Sequence, residues 1–317
     1  MTTTGNAAPA ETTTRSVTVL LSTFNGGNFL QQQLNSLYEQ TYPGIRIMVR
    51  DDGSTDATWS ILERAQSEKR IELLVQHDNL GAARSYFELL QRARLMGADF
   101  VAFCDQDDVW MPGKLSRAIA ALSGVGHERA AMYSSRLEIV GRDLTHVGFT
   151  PLPEQVGFGN ALVENVCVGC TIVLNRPAIE LVGGNLPARA LVHDWWCYLT
   201  LSCFGEIVYD RDAPIKYRQH GHNTFGAAQG TMDRLKRNLR RFAGKGNGRH
   251  WQSEQAAMFM ATFGERIPIV PRQLLSRFIG ARSAWWPRLR LACSREIWRQ
   301  RKFDGLVMRV LMMINRY

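Results

Sequence analysis

An α/β fold is predicted, with a Rossmann-like, mostly parallel central sheet flanked by helices and a basic α-helical C-terminal region appended to it. Three observations predict it. Short apolar runs alternate with amphipathic stretches from Val17 to Cys104, polar clusters rich in Asp, Ser, Thr and Asn follow those runs, and positive charge is concentrated behind them. With 317 residues, 45% of them hydrophobic, the chain can bury one full α/β core and keep residues for an appended region.

Val17 to Ser22 reads as a buried strand, and Leu30, Leu34, Leu37 and Tyr38 then share one face of a helix. Ile45 to Arg50 gives the next strand, followed by a helix through Trp59, Leu62 and Ala65 that Ser54 or Thr55 is placed to cap. Ile71 to Val75 and a helix through Ala83, Phe87 and Leu90 repeat the unit, and Asp99 to Cys104 closes the series. Parallel strands joined by right-handed crossovers put the ligand crevice beyond their carboxyl ends, where the polar clusters fall. Past Trp110, Pro112 opens a helix, strands are expected near Met132 to Val140 and Val168 to Leu174, and a loop at Pro151 to Gly159. His193 to Cys203 reads as a helix, Ile207 to Tyr209 and Ile215 to Arg218 as short strands, and Gly221 to Gly230 as a mobile loop. Only helices follow. Among them AGKGNG (Ala243 to Gly248) is a flexible break without the GxxxxGK[ST] order of a phosphate-binding loop.

No stretch reaches the roughly 18 apolar residues of a membrane-spanning helix, and the Thr- and Ala-rich start lacks the apolar core of a secretory signal, so a cytoplasmic location is expected. Six cysteines lie mostly inside apolar runs, which suits buried thiols in a reducing compartment. The lone CxxC of Cys167 and Cys170 has no second pair to make a zinc site. Charge divides the chain. From Thr231 to Tyr317 stand 19 Lys and Arg against 5 Asp and Glu, whereas residues 1–230 carry 19 against 24. A basic tail seeks an anionic partner, and an acidic front half suits a site that holds a cation.

STFN (Ser22 to Asn25) ends the first strand and DDGSTD (Asp51 to Asp56) the second. Such residues serve any strand-to-helix turn. At a shared sheet edge, though, Asp52 can accept hydrogen bonds from the imide of a pyrimidine base, with Thr23 and Asn25 at its other edge or the ribose. The fourth strand ends in CDQDDVW, which crowds Asp105, Asp107 and Asp108 around Gln106. One acid can cap a helix, but three repel one another unless a cation sits among them. A hard divalent ion, Mg²⁺ or Mn²⁺, held by one or two carboxylates and substrate phosphates answers that repulsion.

The order STFN, DDGSTD, DNLGAARSY (Asp78 to Tyr86), CDQDD resembles the family-two inverting glycosyltransferases over about residues 16–225. The resemblance implies a glycosyltransferase A-type fold, a nucleoside-diphosphate sugar donor, and a metal bridging Asp107 to the diphosphate while Asp105 faces the ribose or sugar. It also implies that Asn79, Gly81 and Arg84 line the donor pocket. NVCVGCTIVLNR (Asn165 to Arg176) and HDWWCYLTLSCFGEIVYDRDAPIKYRQHGHN (His193 to Asn223) are similar to the branch that includes bacterial rhamnosyltransferases, with dTDP-L-rhamnose the favoured donor. An acid in the place of Asp194 is the general base there; as a local reading the same acid is a helix N-cap. Gly169, Cys170, His193, Trp195 and Trp196 would then build the acceptor or sugar pocket, two tryptophans offering a stacking face and desolvation of the acid. His220 stands where related enzymes often carry a further metal ligand, while His222 departs from the expected Asn.

These readings divide the chain into a disordered N-terminus (1–15), a nucleotide-sugar-binding catalytic domain (16–230) and a basic helical region (231–317) that packs on the catalytic domain or lies on an anionic membrane, with Trp285, Trp286 and Trp298 at headgroup level. The expected place is the inner face of the bacterial inner membrane, with a lipid-linked glycan or lipopolysaccharide acceptor. A nucleic-acid partner explains the tail but neither the Asp cluster nor HDWW. A nucleotidyltransferase would show a Gly-rich loop with Lys after the first strand, and STFNGG has none.

Overall fold

The computed structural model describes residues 15–74, 78–126, 128–189, 192–220 and 251–317. The expected disordered N-terminus up to residue 14, the 221–230 loop with His222, the first basic helix and the AGKGNG break lie outside the described residues.

Strands β1 (Val17–Thr23), β2 (Ile45–Asp51), β3 (Glu72–Leu74) and β4 (Phe100–Cys104) alternate with helices α1 (Leu30–Tyr38), α2 (Thr58–Ser67) and α3 (Ala82–Leu95). After a two-residue strand β5 (Val109–Trp110) come α4 (Lys114–Ser123), β6 (Ala131–Ser135), β7 (Glu138–Val140), β8 (His146–Phe149), α5 (Phe158–Ala161), β9 (Val173–Asn175), α6 (Arg176–Gly183), α7 (His193–Phe204), β10 (Glu206–Asp210) and β11 (Ile215–Arg218). The seven-stranded sheet runs β10-β6-β9-β4-β1-β2-β3. Only β9 is antiparallel to its neighbours β4 and β6. Each central strand is apolar on both sides because helices cover both faces. Leu20, Met48, Val101 and Phe103 meet α3, α6 and α7 on one side, and Val19, Leu21, Val49 and Ala102 meet α1, α2 and α4 on the other.

A second sheet, β5-β11-β7-β8, was not read from sequence. Ile215 to Arg218 reads as a strand and β7 lies within the strand expected near Met132 to Val140, but strands of two to four residues carry no pattern that pairs them into a sheet. It matters for the site because β11 pairs with β5, directly after the Asp turn, and so carries Arg218 and His220 to that turn. The strand expected from Val168 begins instead with a 3-10 turn at Gly169–Thr171 and starts only at Val173.

Helices α8 (Trp251–Phe263), α9 (Ile269–Gly280), α10 (Trp285–Cys293) and α11 (Lys302–Met313) complete the described chain. Phe259, Phe263, Phe278 and Leu311 share one continuous core with Trp196 and Leu199 of α7. The carboxyl end is pinned there, since Tyr317 Oη donates to the Phe278 carbonyl at 2.9 Å. Trp298 does not stand at a surface with Trp285 and Trp286, because its ring lies on Gly157 and Gly159, where a Cβ at Gly159 would come within 2.8 Å of it. Among the described residues no helix is long and apolar enough to cross a membrane.

Candidate active site

The loops after β1 and β2 are knitted together by short polar side chains. Thr23 Oγ1 donates to Asp51 Oδ1 at 2.8 Å, Asn25 Oδ1 accepts from Thr55 N at 2.8 Å, and the Ser54 hydroxyl accepts from Asn25 N while donating to Asp51. Asn25 has a φ of +48°, a left-handed conformation that Asn tolerates better than most residues. Neither Ser54 nor Thr55 caps α2; Asp56 Oδ1 takes the Thr58 amide instead, at 3.0 Å. Asp52 is buried. Its Oδ1 accepts from Arg50 and from Leu80 N, and its Oδ2 from Gly81 N at 2.8 Å. Its carbonyl accepts from Asn79 Nδ2 at 2.9 Å. In this arrangement Asp52 fastens the loop ahead of α3, and Oδ2, with one hydrogen bond, keeps an acceptor position for the imide contact expected of it. Gly81 supplies the positive φ of 77° at that fastening, and Arg84 is exposed on the first turn of α3.

Gln106 grips the β1 loop from the other side, accepting from Phe24 N at 2.9 Å and donating to Phe24 O at 3.0 Å. A Cβ at Gly26 would lie 2.1 Å from Gln106 Oε1, so that clasp needs glycine.

The three carboxylates of the Asp turn have separate surroundings. Asp105 Oδ1 accepts from Tyr86 Oη at 2.8 Å, and burial followed by repulsion from Asp107 pushes its pKa up to about 6. Asp108 is fully buried and pushed well above the usual carboxylate range, first by burial; its Oδ1 accepts from Arg218 N at 3.1 Å and its Oδ2 has no partner. Behind it lie the Cys170 thiol, also raised by burial, and Lys114, whose ammonium sits 3.4 Å from the Trp110 ring centroid and is lowered by burial to about 7. Asp107 stays at the crevice side, its Oδ2 2.7 Å from His220 Nε2, and the imidazole stacks on Phe29 with centroids 4.8 Å apart. Arg218 Nε donates to the Asp107 carbonyl and braces the turn.

The donor chemistry of this set fits a divalent cation of the Mg²⁺ or Mn²⁺ class. Asp107 and His220 meet from different elements and offer a carboxylate oxygen and an imidazole nitrogen to such an ion, with substrate phosphates to complete its coordination. Asp105, Asp108 and Cys170 also bring ligand atoms within 4.8 Å of one another. That deeper trio is the poorer site: a thiol held protonated by burial is a weak ligand, and the Lys114 ammonium is the nearby charge.

Asp194 stands in the first turn of α7. Its Oδ2 accepts from Gly169 N at 3.1 Å and its Oδ1 from Trp195 N at 2.6 Å, while burial raises its pKa to about 7, with Asp105 adding to the rise. The cap position belongs to Val192, with no side-chain cap, so the N-cap alternative does not describe Asp194. His193, next to it, is held neutral by burial, which lowers its pKa to about 3. Its ring lies 4.0 Å from that of Tyr86, centroid to centroid. Tyr86 therefore touches both the Asp105 side and the Asp194 side of the crevice; it was not read from sequence as a site residue, although it ends the DNLGAARSY motif.

Two expectations for the acceptor pocket are corrected. Trp196 is 2% exposed, packs on Phe259 and Phe263, and spends its Nε1 on the Asn185 carbonyl, so it presents no face to a sugar. Successive residues on a helix point about 100° apart, and Trp195 packs at the edge of that core, half-buried with Nε1 on Ala161 O. Cys170 is fully buried behind Asp105 and Asp108 rather than in the crevice. Gly169 does lie at the site, where a Cβ would come within 2.8 Å of His193 Nε2.

A mostly parallel sheet with an acidic turn at its carboxyl edge and a buried carboxylate from a later helix is the arrangement expected of a glycosyltransferase of the A-type fold. Residues 18–144 match the family model described as Glycosyl transferase family 2. An uncharacterized glycosyltransferase of Haemophilus influenzae is 30% identical over 220 residues, 66% of this chain and 67% of that protein. The dTDP-rhamnosyl transferase RfbG of Shigella flexneri is 28% identical over 226 residues, 65% of this chain and 74% of that protein. In fold, the crystal structure of S. aureus TarS 1-349 in complex with UDP-GlcNAc matches with a TM-score of 0.56 at 15% identity, covering 95% of this chain and 81% of that one. The chain belongs to glycosyltransferase family 2.

Proposed function

We propose that the chain is an inverting glycosyltransferase that moves L-rhamnose from dTDP-L-rhamnose to a hydroxyl of a lipid-linked glycan or lipopolysaccharide acceptor at the inner face of a bacterial inner membrane. The observation that carries the reaction type is Asp194, a buried carboxylate in the first turn of α7 raised to about 7, near enough to Asp105 for that charge to add to the rise. A base with that pKa is ionised often enough near neutrality to act and basic enough to take a hydroxyl proton, a contribution of roughly 10² to 10⁴ in rate.

Asp194 removes the acceptor proton as the acceptor oxygen forms its bond to the anomeric carbon. The bond from that carbon to the diphosphate oxygen breaks on the far face, nucleoside diphosphate leaves, and the configuration inverts. Gly169 N and Trp195 N hold the carboxylate still for that transfer. Asp107 and His220 would hold a divalent metal, which would neutralise charge developing on the departing diphosphate, while Asp105 faces the ribose or sugar. Asn79, Gly81 and Arg84 border the donor, and Trp195 with His193 borders the acceptor. The choice of rhamnose rests on the likeness to RfbG, which acts with dTDP-rhamnose by its name.

A thermal-shift panel of dTDP, UDP and GDP, each with Mg²⁺, Mn²⁺ or chelator, tests this, because a ligand that binds only the folded state raises Tm. A metal-dependent shift selective for dTDP is expected. Selectivity for UDP would keep the transferase and replace the sugar with a UDP-linked hexose. No shift with any nucleotide, together with salt-sensitive binding of nucleic acid, would overturn the reading.

A further inference from the structure

Helix α11 is apolar on two sides. Val307, Met308, Leu311 and Met312 are buried against the core, as a docked helix requires. Phe303, Leu306, Val310 and Ile314 recur at spacings of three and four residues and so form a second stripe, and these four are 61%, 59%, 41% and 46% exposed. Isolated exposed apolar residues are ordinary, but a contiguous stripe of large ones signals a partner. The helix before it opens with Trp285 and Trp286, stacked at 4.3 Å between centroids and both 57% exposed.

The charges beside the stripe identify the partner's chemistry. Residues 301–317 carry Arg301, Lys302, Arg309 and Arg316 against one acid, Asp304. Lys302, Leu306 and Arg309 also line a cavity of about 400 Å³ whose floor is Leu291, Met308 and Met312. Apolar surface bordered by cations complements an amphiphile with an anionic head, and it disfavours a second copy of the same basic surface, which would bring like charges together.

We infer that α11 and the start of α10 form a docking face for an anionic lipid leaflet: Phe303, Leu306, Val310 and Ile314 enter the interface, the paired tryptophans lie at headgroup level, and the exposed Arg301, Lys302 and Arg316 meet lipid phosphates. The inference rests on the proposed membrane-bound acceptor, and it assigns that association to specific side chains.

The test is co-sedimentation of the full chain with vesicles of phosphatidylglycerol and phosphatidylcholine, comparing wild type with Phe303→Asp/Val310→Asp. Both positions are exposed and outside the cavity lining, so folding should survive, and an unchanged Tm checks that it does. Binding to the anionic vesicles is expected to weaken at least about tenfold in the variant, with little binding to pure phosphatidylcholine by either protein. Equal binding by wild type and variant would overturn the inference, since the charge of another segment would then carry the association. So would wild type that does not sediment, or a stripe that proves to hold two chains together in size-exclusion chromatography. The nucleotide-dependent Tm shift, read on the same samples, shows separately whether the transferase reading stands.

Discussion

His220 Nε2 lies 2.7 Å from Asp107 Oδ2, although 113 residues separate them in the chain. They meet because β11 adds to the second sheet beside β5, immediately beyond the Asp turn. An imidazole and a carboxylate so placed can share a proton or a cation. If the cation is their function, His220→Ala should raise the Mn²⁺ or Mg²⁺ concentration needed for half-maximal transfer by on the order of 10- to 100-fold, and Asp107→Asn should remove metal-dependent donor binding altogether. Metal titrations of transfer rate and of the nucleotide Tm shift read both. Unchanged metal dependence in both variants would reduce the contact to a structural hydrogen bond.

Asp194 makes two separable pH predictions. Burial raises its pKa from 3.8 to about 7. The unfolded chain gives up this proton near 3.8 and the folded chain near 7, so between those values the folded state binds more protons and stability falls as pH rises; above about 7 the cost is complete, about 4 kcal/mol. Asp194→Asn removes the charge but also one acceptor for Gly169 N and Trp195 N, a loss of about 1–3 kcal/mol that is independent of pH. The difference in Tm between variant and wild type should therefore shift in the variant's favour from pH 4 to pH 8. Transfer by wild type should rise with pH to about 7, whereas the variant keeps its nucleotide shift and transfers nothing. A flat Tm difference would mean that Asp194 is not desolvated as described.

The parts of the site that were legible in the sequence are those on long elements. The Asp turn and STFN follow strands whose apolar runs are unmistakable, and Leu30, Leu34 and Leu37 mark α1 without ambiguity. Legibility stops where function depends on which way a side chain turns. Asp52 sits at the expected edge, but Arg50, an uncharacteristic buried arginine inside β2, draws its carboxylate inward. Trp195 and Trp196 look equivalent in HDWW, and only the packing of Phe259 and Phe263 from a helix some sixty residues later decides between them. Ile215 to Arg218 was legible as a strand but its pairing with β5 was not, so the bracing of Asp107 and Asp108 by Arg218 was out of reach of any local pattern.

Gly26 and Gln106 offer a test of the clasp between the first and fourth strands. A Cβ at Gly26 meets the end of the Gln106 side chain, not backbone, so Gly26→Ala should be accommodated by expelling Gln106. The expected cost is about 1–3 kcal/mol in stability, with a raised donor KM, because the β1 loop is released from the Asp turn. Gln106→Ala alone should give a similar KM, and the double variant should be no worse than either single one. Additive losses would mean that the two residues act independently and that the glycine is needed for another reason.

Trp195 and Trp196 should fail in different ways when shortened. Trp196 fills the contact between α7 and α8, so Trp196→Ala leaves a cavity in the shared core and should cost about 3–5 kcal/mol, seen as a drop in the denaturant midpoint. Its effect on KM for the acceptor should be small wherever the protein remains folded. Trp195 is half-buried beside Asp194, with its indole N–H on the Ala161 carbonyl at 2.6 Å. Trp195→Phe keeps an aromatic face while losing that hydrogen bond, at about 1 kcal/mol, and should retain acceptor binding; Trp195→Ala should raise acceptor KM several-fold and leave donor KM in place. If Trp195→Ala instead weakened donor and acceptor equally, the side chain would be holding Asp194 and the start of α7 in position, and the acceptor would have to lie elsewhere along the crevice.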